Sequence, residues 1–424
     1  MKLVRGRTSK LLAAILATVA RAAASAVEEG ASLTLGDAKS AAMANSPVVR
    51  GVEAEVEEAR GRLVAARTYP YNPEIELEGA ERDGPDGSTT DRGVTLSQQI
   101  EIAGQRGKRV ARSEADQAAA ERRLERRRQE VIADVERAFA LALGGRDLME
   151  VAAADVALTR NLLEFERRRL EAGAVSQIQL NVARATAGRS ERRFQETRAE
   201  WFAARSRLAE AAGLDPARPP MPLGSLPVPP AEIAALENLV ATALVRRPDL
   251  DSLKQEEERA RRQLKLERSL AIPDLRLAAF NGRDEGDSIT GVGLGLVIPV
   301  FNRNKGGIVE ARASVDRTGA ETRKVELALL QEVTEARARL EAAAAARDAL
   351  SDLVVGTLED SLDLLRRSME AGKVSATDVL VLRRELVEGQ REYVEAAVEA
   401  WVARVELELA TGGAILPASG GEPR

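Results

Sequence analysis

Apolar positions in this chain follow two periods, and the two alternate in the same order twice over. From Gly104 to Ala172 helix formers run almost unbroken, a stretch that would reach on the order of 100 Å if straight. Gly144-Gly145 is its one real interruption and predicts a bend or a loosening. Val379, Leu386, Tyr393 and Ala400 lie seven apart, as do Leu382, Gly389, Ala396 and Ala403, while Leu350, Val354, Leu358, Leu362, Leu365 and Met369 follow a stripe of fours and threes. A seven-residue repeat predicts left-handed supercoiling of packed helices, and the many Ala and Gly on these stripes predict closely approaching backbones. Between the helices the period falls to two. Ile75 and Leu77 alternate with Glu74, Glu76 and Glu78; Val94, Leu96, Ile100 and Ile102 alternate with Thr95, Ser97, Gln99 and Glu101. Leu275 and Leu277 alternate with Asp274 and Arg276, and Val292, Leu294, Leu296 and Ile298 with Gly291, Gly293 and Gly295. Strands are therefore expected at about 73–83, 91–102, 273–283 and 288–301, with turn chemistry in Asp83-Gly84-Pro85-Asp86-Gly87.

The order repeats because the chain contains itself twice. Asn45-Ser46-Pro47 is answered by Arg246-Arg247-Pro248, Asn72-Pro73-Glu74-Ile75 by Ile272-Pro273-Asp274-Leu275, and Glu171-Ala172-Gly173 by Glu370-Ala371-Gly372. So long a period marks a duplicated module rather than a solenoid. Each module runs helix, strand, strand, very long helix, turn, helix. The first repeat spans 27–213, with one helical stretch from Leu35 to about Thr68 that breaks or restarts near Pro47. A Pro-rich linker covers 214–230, and the second repeat covers 231–412 with helices expected over Glu232–Ser269, Gly307–Ala371 and onward to Ala410. A tail, 413–424, follows. The tips fall at about 172–176 and 371–375. Ser176-Gln177-Ile178-Gln179 fits a capping box, Ser375-Ala376-Thr377-Asp378 is its counterpart, and Gly173 and Gly372 stand where a left-handed cap ends the outgoing helix. Closure of an αα-hairpin accounts for these residues by itself; two equivalent tips in one chain also suit a docking surface.

Composition narrows the chemistry. The 424 residues hold 30% charged and 3% aromatic side chains, as long helices do. With neither His nor Cys, disulfides, Cys/His metal sites and the His- or Cys-based dyads and triads are absent. No Gly-rich phosphate loop or zinc-protease helix occurs, so an enzyme is not expected and no cofactor is assigned. A net charge of −5 argues against a general nucleic-acid partner, and the basic run Arg122–Arg128 reads as a solvated helix face. Residues 1–26 read as an export signal: Lys2, Arg5, Arg7 and Lys10 precede the apolar run Leu11–Ala20, and Ala24-Ser25-Ala26 offers a cleavage site. A buried or anchoring N-terminal helix is the alternative. No later segment is apolar for long enough to span a bilayer as a helix.

Strands of this length would cross a bilayer when tilted, although a soluble half-buried sheet gives the same alternation. Four strands cannot close a barrel and open edges are not tolerated in lipid, so a spanning sheet needs several chains; three would give twelve strands.

The residues now in view resemble the TolC family of outer-membrane efflux proteins. The resemblance covers nearly the whole mature chain and rests on Asn72-Pro73-Glu74-Ile75-Glu76-Leu77, on Ser97-Gln98-Gln99-Ile100-Glu101 with Gly104-Gln105-Arg106-Gly107-Lys108-Arg109, and on Gly-x-Val-Ser at both tips. Ile298-Pro299-Val300-Phe301-Asn302-Arg303-Asn304-Lys305-Gly306-Gly307 is similar to the heavy-metal, CzcC-like branch. The resemblance implies a mainly α fold with a small β component: a homotrimer with a long coiled-coil α-barrel in the periplasm and a twelve-stranded barrel in outer-membrane lipid. It implies a passive conduit of a tripartite efflux system, whose tips dock on a periplasmic adaptor coupled to a proton-driven inner-membrane pump. Gly173, Val175, Ser176, Gln179, Gly372, Val374, Ser375 and Asp378 are the tip residues so implied. Gln179 stands where Asp378 is acidic, which weakens any acidic ring in the first repeat, and without cysteine the lipid-anchored N-terminus of some relatives is not expected. From the alternation, Glu74, Glu76, Glu78, Gln99 and Glu101 are expected to face the lumen and Ile75, Leu77, Val94 and Leu96 to face lipid; Glu74, Glu76 and Glu78 would make a cation-favouring collar, with rim or solvated carboxylates as the alternative. Metal cations, drugs or a secreted protein remain open as cargo. A periplasmic adaptor or a coiled-coil scaffold is the alternative class, disfavoured by two hairpins and few strands.

Overall fold

The structure, a computed structural model, describes residues 32–84, 87–228, 232–284, 287–351, 364, 368 and 376–413. The expected export signal and Gly372, Val374 and Ser375 of the second tip lie outside the described residues. In order, the elements are β1 (Ser32–Leu33), α1 (Leu35–Asn45), α2 (Pro47–Arg67), β2 (Glu74–Gly84), β3 (Gly87–Ile100), α3 (Gln105–Glu171) and α4 (Gln177–Ala211). There follow β4 (Met221–Pro222), α5 (Leu236–Arg246), α6 (Pro248–Leu270), β5 (Leu275–Asp284), β6 (Asp287–Leu296), α7 (Lys305–Leu350) and α8 (Ala376–Thr411). No helix among the described residues is long and apolar enough to cross a membrane.

Helix ends follow local chemistry. Thr34 caps α1 by accepting from the Asp37 amide, and Pro47 opens α2 at the first position, where its missing N–H costs nothing. The same punctuation splits the single helix expected over Glu232–Ser269: Arg247, driven extended by Pro248, separates α5 from α6. Gly144-Gly145 does not loosen α3, which runs through both residues. A Cβ on Gly144 would lie 2.3 Å from Val398 Cγ2, and one on Gly145 would lie 3.1 Å from the Trp201 ring. The pair is where α8 and α4 meet bare backbone, and Trp201 Nε1 donates to the Ala142 carbonyl at 3.1 Å.

The chain divides into two compact units. One holds residues up to Val49, Arg128–Ala243 and Leu330 onward. Its core includes Phe139, Leu143, Leu208 and Leu407, and the expected stripe positions Val379, Leu386, Ala396, Ala400 and Ala403 are buried. Two ionic clusters pin this core. Arg383 grips both carboxylate oxygens of Asp155 at 2.6 Å and donates to Ser190 Oγ at 2.8 Å, joining α8, α3 and α4. Glu136 on α3 accepts from Lys39 at 2.6 Å and from Arg404 at 2.8 Å. The linker is held as well: β4 pairs parallel with β1, and buried Arg205 donates to the carbonyls of Pro219 and Pro220.

The other unit holds Arg50–Arg127 and Leu244–Leu329. Val56, Ala59 and Ala120 form a small core with Leu124 beside it. Ser252 Oγ donates to the Ala119 carbonyl at 3.0 Å. The basic run of α3 is matched by α6, with Arg122 on Asp251 at 2.7 Å and Arg123 on Glu256 at 2.6 Å. A four-stranded antiparallel sheet, ordered β2-β3-β5-β6, completes the unit, with β2 and β6 as its edges.

Gly144→Leu is expected to destabilise the protein by about 1–3 kcal/mol, because the added side chain must displace Val398 from a closed contact. A fall in the thermal unfolding midpoint in detergent is the readout; an unchanged midpoint would contradict the close approach.

Candidate functional site

The sheet has two chemically different faces, fixed by register. Opposed residues in an antiparallel ladder point the same way. Ile75 pairs with Leu96, Leu96 with Ala279, and Ala279 with Val292. Leu77 pairs with Val94, which pairs with Asn281, while Leu277 pairs with Leu294 and Leu275 with both Ile100 and Leu296. These rows form one apolar face, and it is open: Ile75 is 71% exposed and Val292 87%. So wide an uncovered apolar surface marks an interaction with lipid or with protein.

The opposite face carries Glu74, Glu76 and Glu78, all exposed, with Thr95, Ser97 and Gln99 on β3. Gln99 Nε2 donates to Asp274 Oδ2 at 2.9 Å, and Arg276 donates to Ser97 Oγ at 3.1 Å. Phe280 lies over Gly291, where a Cβ would meet its ring at 2.3 Å, and the Cβ of Arg276 sits 3.4 Å from one built on Gly295. The glycines of β6 thus receive the side chains of β5 on the polar face.

Several expected strand ends change. β6 stops at Leu296, so Ile298, immediately before Pro299, belongs to no ladder. Glu101 follows the end of β3 and is not a wall residue of the sheet: its side chain is 5% exposed and both of its oxygens accept from Arg109 of α3, which pushes the guanidinium pKa up. Asp274 likewise precedes β5 and serves as a hub. It accepts from Gln105 Nε2 at 3.0 Å as well as from Gln99, while Gln105, 1% exposed, accepts from the Ala103 amide at 2.9 Å. Burial, and then a hydrogen bond to Asp274, pushes the Tyr71 phenol up. Tyr69 donates to the Gln99 carbonyl at 2.9 Å and accepts from the Glu101 amide at 3.0 Å. Residues of both repeats are tied together here, at the root of the sheet. The sequence signalled this region through the paired Asn-Pro-Glu and Ile-Pro-Asp motifs and the runs Ser97–Glu101 and Gly104–Arg109, without saying which of these residues would meet.

The first hairpin tip has the expected geometry. Gly173 is left-handed at φ 70°, the Ala174 amide reaches the Arg169 carbonyl at 2.8 Å, and the Gly173 amide reaches Leu170 at 2.9 Å. Ser176 and Gln179 form a reciprocal capping box. Gly173, Ser176, Ile178 and Gln179 are exposed and Val175 is half-buried. Asp378 is exposed in the first turn of α8. Among the described residues no group of three or more His, Cys, Asp or Glu could hold a metal ion.

The family model described as "Outer membrane efflux protein" matches residues 39–214 and 239–413, and the chain belongs to that family. It is an outer-membrane efflux channel and not an enzyme. It is 23% identical over 389 residues to the cobalt-zinc-cadmium resistance protein CzcC of Cupriavidus metallidurans, across 91% of each chain. It is 28% identical over 344 residues to protein CyaE of Bordetella pertussis, covering 75% of this chain and 71% of CyaE. The fold matches the outer membrane protein VceC of Vibrio cholerae with a TM-score of 0.71 at 20% identity, over 89% of this chain and 96% of VceC. It matches CusC with a TM-score of 0.72 at 17% identity, over 90% and 92%.

Replacing Glu101 by Leu strands the half-buried Arg109 charge and is expected to cost about 3 kcal/mol, whereas Glu101→Leu with Arg109→Met should recover most of that loss. Ser176→Ala should cost about 1 kcal/mol through the lost cap. Guanidinium unfolding in detergent reads all three; equal losses in the single and double variants would refute the pairing argument.

Proposed function

We propose that three copies of this chain close into one outer-membrane conduit, with the apolar sheet face toward lipid and the polar face toward a water-filled lumen. The observation that carries the reading is the sheet itself: two free edges, one polar face and one uncovered apolar face. In hydrocarbon an unpaired edge leaves backbone donors and acceptors unsatisfied, so β6 of one copy must pair with β2 of the next. Three copies supply twelve strands, an even number within the range of such barrels.

The helices leave both strand pairs at one end, so the hairpin ends at Gly84/Gly87 and Asp284/Asp287 point the other way. In this reading those ends face the exterior and the helices lie in the periplasm, after export directed by residues 1–26. The exposed tip residues Gly173, Ser176 and Gln179 and the half-buried Val175, with Asp378 of the second hairpin, dock a periplasmic adaptor coupled to a proton-driven inner-membrane pump. Metal cations are the proposed cargo. Similarity to CzcC, a cobalt-zinc-cadmium resistance protein, supports this, and so does the surplus of carboxylates on the polar face. The channel needs no resident metal ligand to act as a passive path.

Glu74, Glu76 and Glu78 repeat in every copy, and such rings select cations. In planar bilayers under a KCl gradient, the channel is expected to show a cation-selective reversal potential. E74Q/E76Q/E78Q is expected to move that potential toward zero while leaving assembly intact. Anion selectivity in the wild type, or no shift in the variant, would sink the lumen assignment.

A further inference from the structure

On the apolar face, the row beyond Leu77–Val94–Asn281–Thr290 holds two arginines. Arg92 stands directly opposite Arg283, flanked by Gly79 on β2 and Ser288 on β6. Like charges directly opposed across a ladder destabilise it, so the pair calls for an anion between them. Among the described residues neither Arg92 nor Arg283 makes an ion pair or a side-chain hydrogen bond, and both are exposed. The other two arginines of the strands are both engaged: Arg82 meets Asp91 at 3.0 Å, and Arg276 meets Ser97 at 3.1 Å. Both of those point to the polar face. The nearest carboxylate row on the apolar side begins with Glu81, which accepts from Ser88 Oγ at 3.2 Å. Space is open around the pair, since a Cβ on Gly79 would meet nothing within 4 Å.

Position along the strand names the phase that supplies the anion. Arg92 lies eight residues from Ile100, about 26 Å along the strand at about 3.3 Å per residue. With a tilt of about 40°, that is roughly 20 Å of height, near the outer edge of an apolar band about 25 Å tall. Arginine is tolerated at such a boundary and not at mid-band. We propose that Arg92 and Arg283 form a binding site for a phosphomonoester on the headgroup of an outer-leaflet membrane lipid. The inference rests on the proposed orientation of the apolar face toward lipid. Two guanidinium forks can each offer paired N–H donors to phosphate oxygens, and a phosphomonoester carries close to two negative charges near neutral pH.

The test uses the full-length channel, reconstituted into phosphatidylcholine nanodiscs doped with diphosphorylated lipid A and re-extracted in mild detergent. Retained lipid is counted by native mass spectrometry. Wild type and Arg82→Gln are expected to retain lipid A, and R92Q/R283Q to retain about tenfold less, in line with the contribution of basic residues at a charged surface. R92K/R283K, which keeps charge but loses the forks, should fall between them, and heat-modifiable gel mobility reports that each variant has folded. Equal retention by R92Q/R283Q, equal retention of dephosphorylated lipid A, or displacement by excess inorganic phosphate would overturn the proposal. Orientation is read separately with a fluorophore on Val94→Cys, the only cysteine such a chain would hold. Quenching by brominated lipid upholds the orientation, so that a failed retention assay then counts against the phosphate site alone. Quenching by aqueous iodide alone overturns both.

Discussion

A backbone amide in hydrocarbon must find its partner within protein, and a four-stranded sheet leaves two edges where none exists. The strand region follows from that constraint. Period-two alternation lets one ladder present carboxylates on one side and aliphatic side chains on the other without any change of backbone. It also makes register a stringent requirement, since a slip of one residue would exchange the faces across the whole sheet. Pairs such as Ile75 with Leu96 and Leu77 with Val94 fix that register on one side, and the fit of Phe280 over Gly291 fixes it on the other.

The duplication is preserved most faithfully where the backbone demands it. Pro47 and Pro248 open corresponding helices, and Gly213 and Gly412, 199 positions apart, are both left-handed caps at φ 68° and 73°. Before the long helices the requirement is met by different residues: Gly104 at φ 69° and Asn304 at φ 51°. Asparagine is one of few side chains that accept this conformation, and here its amide donates to Glu267 Oε2 at 2.6 Å. Side chains between these fixed points have diverged freely, so the two halves share a plan while their polar contacts differ.

That division also explains what could be read in advance. Strand parity and the first tip were legible because a two-residue period, a Gly at a left-handed cap and a Ser-x-x-Gln box are local signals. Glu101 was misplaced because the alternation continues past the last ladder pair, and nothing local says that Arg109 will claim the carboxylate. Gly144 and Gly145 looked like weakness when considered within one helix. Their meaning depends on Val398 and Trp201, which arrive from helices far away in sequence. The hub at Asp274 was hidden for the same reason, since its partners Gln99 and Gln105 come from the other repeat.

The long helices pose a problem that apolar packing solves poorly. A seam of alanine and glycine lets backbones approach but offers little shape to distinguish one register from the next; a slide of one turn, about 5.4 Å, replaces alanine by alanine. Buried ion pairs contribute little net stability because desolvation offsets their attraction, yet breaking one leaves an uncompensated charge. Asp155, Arg383 and Ser190 therefore act on register. A one-turn slide of α8 against α3 would part the two-pronged contact and separate both charges within the core. Glu136, shared between Lys39 and Arg404, imposes the same condition at a second point on the same two helices. Two such pins on one helix pair exclude slides that either alone would penalise only once, so the helical wall keeps its alignment even though its hydrophobic seam is thin.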